Sequence, residues 1–227
     1  MRILAVDTAL GLCSALVMDT ATDQIIARES LLMDRGHAEA LMPLVERVMA
    51  HVPEGFSSLE RIATTVGPGS FTGLRVGLSA ARAIALATSL PIVGITTLSA
   101  FAAPYLGDGS DRNVASVIDA RHQHVYLQIS GSHGRIIVPP CIIPIVEAEA
   151  LIFSAEARIV GSGASLFAKL AETSNAKVFC EADQAGPDCE WVARLGAFAN
   201  PEDARPTPLY LRPPDAIPQQ NGRIALQ

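Results

Sequence analysis

The chain has 227 residues, 49% of them hydrophobic and 18% charged, with a formal net charge of −6. This content fills a sizeable core and excludes a disordered chain. Positions 1–100 carry 7 basic against 9 acidic residues and positions 101–227 carry 10 against 14, so neither half is a basic platform for tight, independent RNA binding.

The longest apolar stretch, residues 80–95, is interrupted by Arg82, Thr88, Ser89 and Pro91, which argues against a membrane span. The apolar run at the N-terminus is too short for a signal peptide, so a cytoplasmic protein is expected. Cys13, Cys141, Cys180 and Cys189 form no Cys-x-x-Cys pair, which suggests neither a zinc knuckle nor a redox pair.

In chain order, Ile3 to Val6, Cys13 to Met18 and Ile25 to Leu32 read as a three-strand meander with turns at Ala9 to Gly11 and Asp19 to Asp23. A helix from His37 to Met49 follows, its Leu41, Leu44, Val45 and Val48 in the 3.6-residue period; Pro43 within it suggests that the regular helix begins there. The β-branched run Ile62 to Val66 leads into Gly67-Pro68-Gly69-Ser70-Phe71-Thr72-Gly73-Leu74-Arg75-Val76-Gly77 and then a helix reaching Leu90. Gly67, Gly69 and Gly73 suit a strand-to-helix turn, and Ser70 or Thr72 would cap a helix whose free N–H groups attract anions. The loop is not a Walker A motif, because Leu74 and Arg75 follow Gly73 where Lys and Ser or Thr are needed. The plainer reading is a tight turn with close packing. Gly73, Gly77, Ala81, Ala85 and Ser89 recur every four residues, giving a smooth stripe that lets a second helix approach.

A strand at Ile92 to Ile95 closes the first half in an RNase H-like order. The second half echoes it: strands at Val114 to Ile118 and His124 to Ile129, a possible extension at Ile136 to Val138, a helix at Ala148 to Phe153, and a strand at Ile159-Val160 entering Gly161-Ser162-Gly163. Helix Ala164 to Glu172, strand Lys177 to Phe179 and helix Cys189 to Phe198 complete it. The expected division is a lobe of residues 1–104, a lobe of residues 105–212 and a proline-rich, flexible tail of residues 213–227.

Five motifs in order, Ile3 to Thr8, Gly36 to Glu39, Gly67 to Gly77, Asp119 to Arg121 and Leu209 to Arg212, resemble the bacterial TsaB (YeaZ) family from Met1 to about Arg212. The resemblance implies an actin-like ATPase (ASKHA) fold of class α/β, two RNase H-like lobes with mixed sheets flanked by helices. It further implies a non-catalytic subunit supporting the TsaD transferase in N6-threonylcarbamoylation of adenosine 37 of tRNAs that read ANN codons. In that pathway TsaC makes the threonylcarbamoyl-adenylate and TsaE is an ATPase of the complex.

Several residues bear on this expectation. TsaD-like proteins hold a metal with His-x-x-x-His, but here Leu41 stands four positions after His37, so no metal site is expected; His37 could be completed only by distant His51, His122, His124 or His133. The Asp-x-Gly phosphate turns are degraded, since Asp7 is followed by Thr8-Ala9 and Asp119 by Ala120-Arg121. Asp7 and Asp119 are expected to be turn-holding carboxylates rather than Mg²⁺ ligands. No cofactor of the chain's own is expected, and ATP or ADP with Mg²⁺ at a partner interface stays open. The partner interface is placed on Leu41, Leu44, Val45, Val48, Gly73, Gly77, Ala81 and Ala85, with self-pairing in the absence of TsaD and tRNA reached through the complex. The competing reading is a nucleotide-binding ATPase or kinase using Asp7 and Asp119. A metallopeptidase is a further one that the missing second histidine disfavours.

Overall fold

Two short apolar runs organise the chain, because each is almost wholly buried, as a strand at a sheet centre must be. In the computed structural model, which describes residues 1–107, 109–175 and 177–212, they are β1 (Arg2–Asp7) and β6 (Val114–Asp119). Around β1, the strands β2 (Leu12–Asp19), β3 (Gln24–Leu32), β4 (Arg61–Gly67) and β5 (Ile92–Thr96) form a sheet in the order β3-β2-β1-β4-β5. The first three are antiparallel neighbours, and β4 and β5 join in parallel.

The second sheet repeats this plan. Strands β7 (His124–Ser130), β8 (Ile136–Pro144), β9 (Arg158–Val160) and β10 (Phe179–Cys180) give the order β10-β9-β6-β7-β8 with the same strand senses. The two RNase H-like lobes expected from the sequence are therefore present. Strand β8 runs beyond the expected Val138 through Pro139 and Pro140, which an edge strand tolerates because its outer N–H groups have no ladder to serve.

Helices α1 (His37–Met49) and α2 (Phe71–Thr88) cover one face of the first sheet. Helix α1 starts at His37 rather than at Pro43: Pro43 lies inside it on the exposed side, where the carbonyl it leaves unpaired can reach water. A helix absent from the sequence reading, α3 (Thr97–Ala102), lies between the sheets, its Leu98, Phe101 and Ala102 packed with Val114, Ile118 and Val160. Helices α4 (Ile145–Ser154) and α5 (Ala168–Thr173) cover the outer face of the second sheet. The expected helix from Ala164 is a 3-10 turn, Ala164–Phe167, followed by α5.

The last helix, α6 (Cys189–Phe198), corrects the expected lobe boundary. It packs not on the second sheet but on the free face of the first, its Val192 and Ala193 among Ile3, Ala5, Leu16, Met18, Ala63 and Val93. The physical reason is that β1, β2 and β4 are buried on both faces and need a second apolar cover. Arg61 of β4 fixes the helix end by donating to the carbonyls of Gly196, Ala197 and Ala199 at 2.9, 3.0 and 2.9 Å, where a cation also meets the negative end of the helix dipole. The tail 213–227 lies outside the described residues. Among the described residues no helix is long and apolar enough to cross a membrane.

Candidate functional site

Residues 67–70 form the strand-to-helix turn between β4 and α2. Ser70 is its N-cap: extended in backbone, it accepts from the Gly73 N–H at 3.2 Å, whereas Thr72 lies in the first helical turn, exposed. The glycines press on the end of β1. A Cβ at Gly69 would stand 2.3 Å from the Ala9 carbonyl oxygen, at Gly73 2.1 Å from that of Thr8, and at Gly77 2.5 Å from the Thr8 hydroxyl. Thr8 Oγ1 donates to the Gly73 carbonyl at 2.7 Å, and the Ser70 N–H donates to the Ala9 carbonyl at 2.7 Å. Gly67 closes β4 beside the Leu209 carbonyl. The loop is a backbone clasp on the β1–β2 turn.

This geometry corrects the interface residues read from the sequence. Leu41, Leu44, Val45, Val48, Gly73, Gly77, Ala81 and Ala85 are all buried in the chain's own first lobe. The apolar α1 residues cover β1, β2 and β4, with about 1.5–3 kcal/mol of burial for each large side chain. Gly73 and Gly77 of the small-residue stripe press on Thr8, and Ala81 and Ala85 pack in the core of the first lobe.

The opposite faces of the same helices are exposed and carry apolar side chains among charged ones such as Glu39, Glu46, Arg75 and Arg82. Met42 on α1 is 47% exposed, and Phe71 and Leu86 on α2 are 45% and 84% exposed. Ala38, Leu41, Met42, Phe71, Thr72, Arg75, Val76, Ser79 and Ala80 line a groove of about 460 Å³ between the two helices, so Leu41 of the expected interface forms its floor. The Arg75 guanidinium stacks 3.8 Å from the Phe71 ring, and that ring lies 5.3 Å from Tyr210. Tyr210 arrives on a strap: the Gly94 N–H donates to Ala204 and the Leu209 N–H to Val66, at 2.8 and 2.7 Å, and Arg212 Nη1 donates to the Ala120 carbonyl at 2.7 Å. The motif Leu209 to Arg212 thus laces α2 to the second lobe. Sequence reading missed Met42, Phe71 and Tyr210; the signal available was that Met42 and Phe71 fall off the buried stripe of otherwise well-patterned helices.

The two aspartates occupy equivalent strand ends in different surroundings. Asp7 is wholly buried; its Oδ1 accepts from the Thr65 hydroxyl at 2.6 Å and the Ala9 N–H at 3.1 Å, while Oδ2 has no protein partner. Burial pushes its pKa up to about 6 against the pull of those two hydrogen bonds. Asp119 is partly exposed, accepts from the Arg121 N–H at 2.7 Å and pairs with the Arg121 guanidinium at 3.5 Å.

A phosphate would need free backbone N–H groups at these turns. Instead the Ala9 N–H serves Asp7, the Gly11 N–H donates to Ala185 at 2.8 Å, and Leu10 packs into the cluster of Phe101, Ile118 and Val160 between the sheets. The residues present do not fit a nucleotide at the β1–β2 turn. Gly161 likewise serves packing, since a Cβ there would stand 2.4 Å from the Val117 carbonyl oxygen. His37 Nε2 lies 3.1 Å from the Leu10 carbonyl, His51 and His124 face the carbonyls of Arg47 and His122, and His133 meets Ser132. Among the described residues no group of three or more His, Cys, Asp or Glu stands together as a metal site.

With this geometry in hand, the chain was compared with known proteins. It is 33% identical over 126 residues to the tRNA threonylcarbamoyladenosine biosynthesis protein TsaB of Escherichia coli, covering 56% of this chain and 53% of that protein. To the protein of the same name from Haemophilus influenzae it is 32% identical, covering 56% and 52%. The match spans about half the length of these curated relatives. The solved structure of YeaZ from Pseudomonas aeruginosa superposes with a TM-score of 0.74 at 22% identity, over 92% of this chain and 99% of that one, which establishes the fold. The family model of TsaD, tRNA N6-adenosine threonylcarbamoyltransferase, matches residues 29–180. The chain is a TsaB/YeaZ member of the TsaD family. Its actin-like architecture is the two mixed five-stranded sheets described above. In this TsaB/YeaZ chain the matched segment takes in α1, α2 and all five strands of the second sheet, and so includes the exposed groove.

Proposed function

We propose that this chain is the accessory subunit that binds and supports the TsaD transferase in N6-threonylcarbamoylation of adenosine 37 of tRNAs reading ANN codons. The contact is made by the outward face of α1 and α2. The observation that carries this reading is the groove around Met42 and Phe71: it is apolar and exposed, on helices whose inner faces are already used. Methionine and aromatic side chains are enriched at interface cores, and their burial supplies the driving force. TsaE joins through the complex, tRNA is reached through it because the chain is acidic, and the same groove supports self-pairing when TsaD is absent. We assign the chain no cofactor of its own, leave ATP or ADP with Mg²⁺ to the partner interface, and place the assembly in the cytoplasm. The ATPase or kinase reading is disfavoured because the Ala9 and Gly11 N–H groups of the β1–β2 turn are engaged within the chain.

The test is threonylcarbamoylation by TsaC, TsaD and TsaE of the same organism with and without this chain, together with size exclusion of its mixture with TsaD. Met42→Asp should neither form the complex nor restore activity, while leaving the melting temperature near wild type. Activity that ignores the chain, with no complex, overturns the proposal.

A further inference from the structure

Residues 8–11 connect the starts of both groove helices to the second lobe. On one side, Thr8 Oγ1 donates to the Gly73 carbonyl and the Ser70 N–H donates to Ala9, each at 2.7 Å, and the Leu10 carbonyl lies 3.1 Å from His37 Nε2. These contacts fix the first turns of α2 and α1. On the other side, the Leu10 side chain packs with Phe101, Ile118 and Val160, and the Gly11 N–H donates to Ala185 at 2.8 Å. Asp7 braces the turn from beneath through the Ala9 N–H.

We infer that this turn is a strut through which the second lobe sets the position of α1 and α2, and that Leu10 and His37 are positioning residues for partner binding. The inference rests on the groove reading proposed above. The clasp leaves no slack: with glycines pressed so closely on Thr8 and Ala9 that a Cβ would clash, any shift of the turn carries the start of α2 with it. A shift of Leu10 in turn displaces side chains from β6 and α3. Energetic linkage is reciprocal, so a partner held on α1 and α2 must also steady the Leu10 contacts.

The experiment measures TsaD affinity by calorimetry for wild type, Leu10→Ala, Leu10→Met, His37→Ala and His37→Gln, each checked for folding by its melting curve. Hydrogen exchange of residues 184–186 and of β7 is followed with and without TsaD. Leu10→Ala and His37→Ala are expected to weaken binding about tenfold, and Leu10→Met and His37→Gln to restore it to within about twofold, in the range of ordinary coupling between sites. Exchange at residues 184–186, which do not line the groove, is expected to slow when TsaD binds. Folded Leu10→Ala with wild-type affinity, or unchanged exchange, overturns the strut. Where Leu10→Ala does not fold, Leu10→Val and the His37 pair decide by the same criterion. Loss of binding in Met42→Asp alone overturns the strut and keeps the groove; wild-type binding by Met42→Asp overturns both.

Discussion

The turns that follow β1 and β6 occupy the same place in two sheets of the same order, yet the chain uses them in opposite ways. After β1, Asp7 is buried, and the turn is gripped by α2, His37 and the second lobe. After β6, Asp119 is partly exposed, and Arg121, His122 and Gln123 all take positive φ, at 64°, 51° and 60°. Three consecutive side-chain-bearing residues in the left-handed region cost energy, and their own side chains are exposed. Topology alone thus does not assign a role to an actin-like turn; what is clasped around it does.

The glycines that press on each strand end give the largest expected effect. Gly73→Ala places a methyl group 2.1 Å from a backbone oxygen in the middle of the clasp, whereas Gly163→Ala meets the Asp119 nitrogen at 2.9 Å. Overpacking against backbone that cannot retreat should cost Gly73→Ala about 3 kcal/mol or more, and Gly163→Ala about 1 kcal/mol, read from urea unfolding. Equal losses would show that the two turns are equally rigid and would remove the contrast.

The buried carboxyl gives the next effect. The folded-state pKa of Asp7 is raised from 3.8 to about 6, so the folded state holds its proton to higher pH than the unfolded chain does. Its contribution to stability is therefore complete below pH 4 and is lost as pH rises through 6, on the order of 2 kcal/mol. In Asp7→Asn the carbonyl can keep the Thr65 and Ala9 hydrogen bonds while the charge is removed. The difference in unfolding free energy between wild type and Asp7→Asn should shift by that amount between pH 4 and pH 7, in favour of the variant at pH 7. A difference independent of pH would mean that Asp7 is hydrated and titrates as an ordinary carboxylate.

Much of the element order was legible because it rests on local signals: β-branched runs, apolar spacing, and Ser70 placed to cap a helix. Helix α3 was not, since its six residues are too few to show a period and nearly all are buried; the available cue was Thr96, whose hydroxyl accepts from the Ser99 N–H at 3.0 Å as an N-cap. The docking of α6 was illegible for a different reason. Its amphipathic pattern says that it must cover something, but which of two similar sheets it covers depends on the bare face left by α1 and α2. For the candidate site, spacing picked out residues that the fold buries in the chain's own first lobe. Helix α2 carries small residues all round, with Ser79, Ala83 and Ala87 facing out as Gly77, Ala81 and Ala85 face in, so periodicity could not say which stripe meets the sheet.

The smallest effect is the one that separates the two turns by sign. Arg121 and Ala9 each stand two residues after their strand-end aspartate, where the actin-like phosphate turn has glycine. Arg121 is held at φ 64° with its side chain 82% exposed, so Arg121→Gly gives up only a solvent-facing ion pair at 3.5 Å and relieves a left-handed backbone; it should stabilise by about 0.5–1 kcal/mol. Ala9 does not take a positive φ and is fully buried against the glycine loop, so Ala9→Gly should destabilise by about 1 kcal/mol through chain entropy and a lost methyl contact. The same substitution at the same topological position therefore moves the unfolding midpoint in opposite directions. If both variants lose stability, the Arg121 turn is held by more than its own ion pair, and the second lobe carries a clasp equivalent to the first.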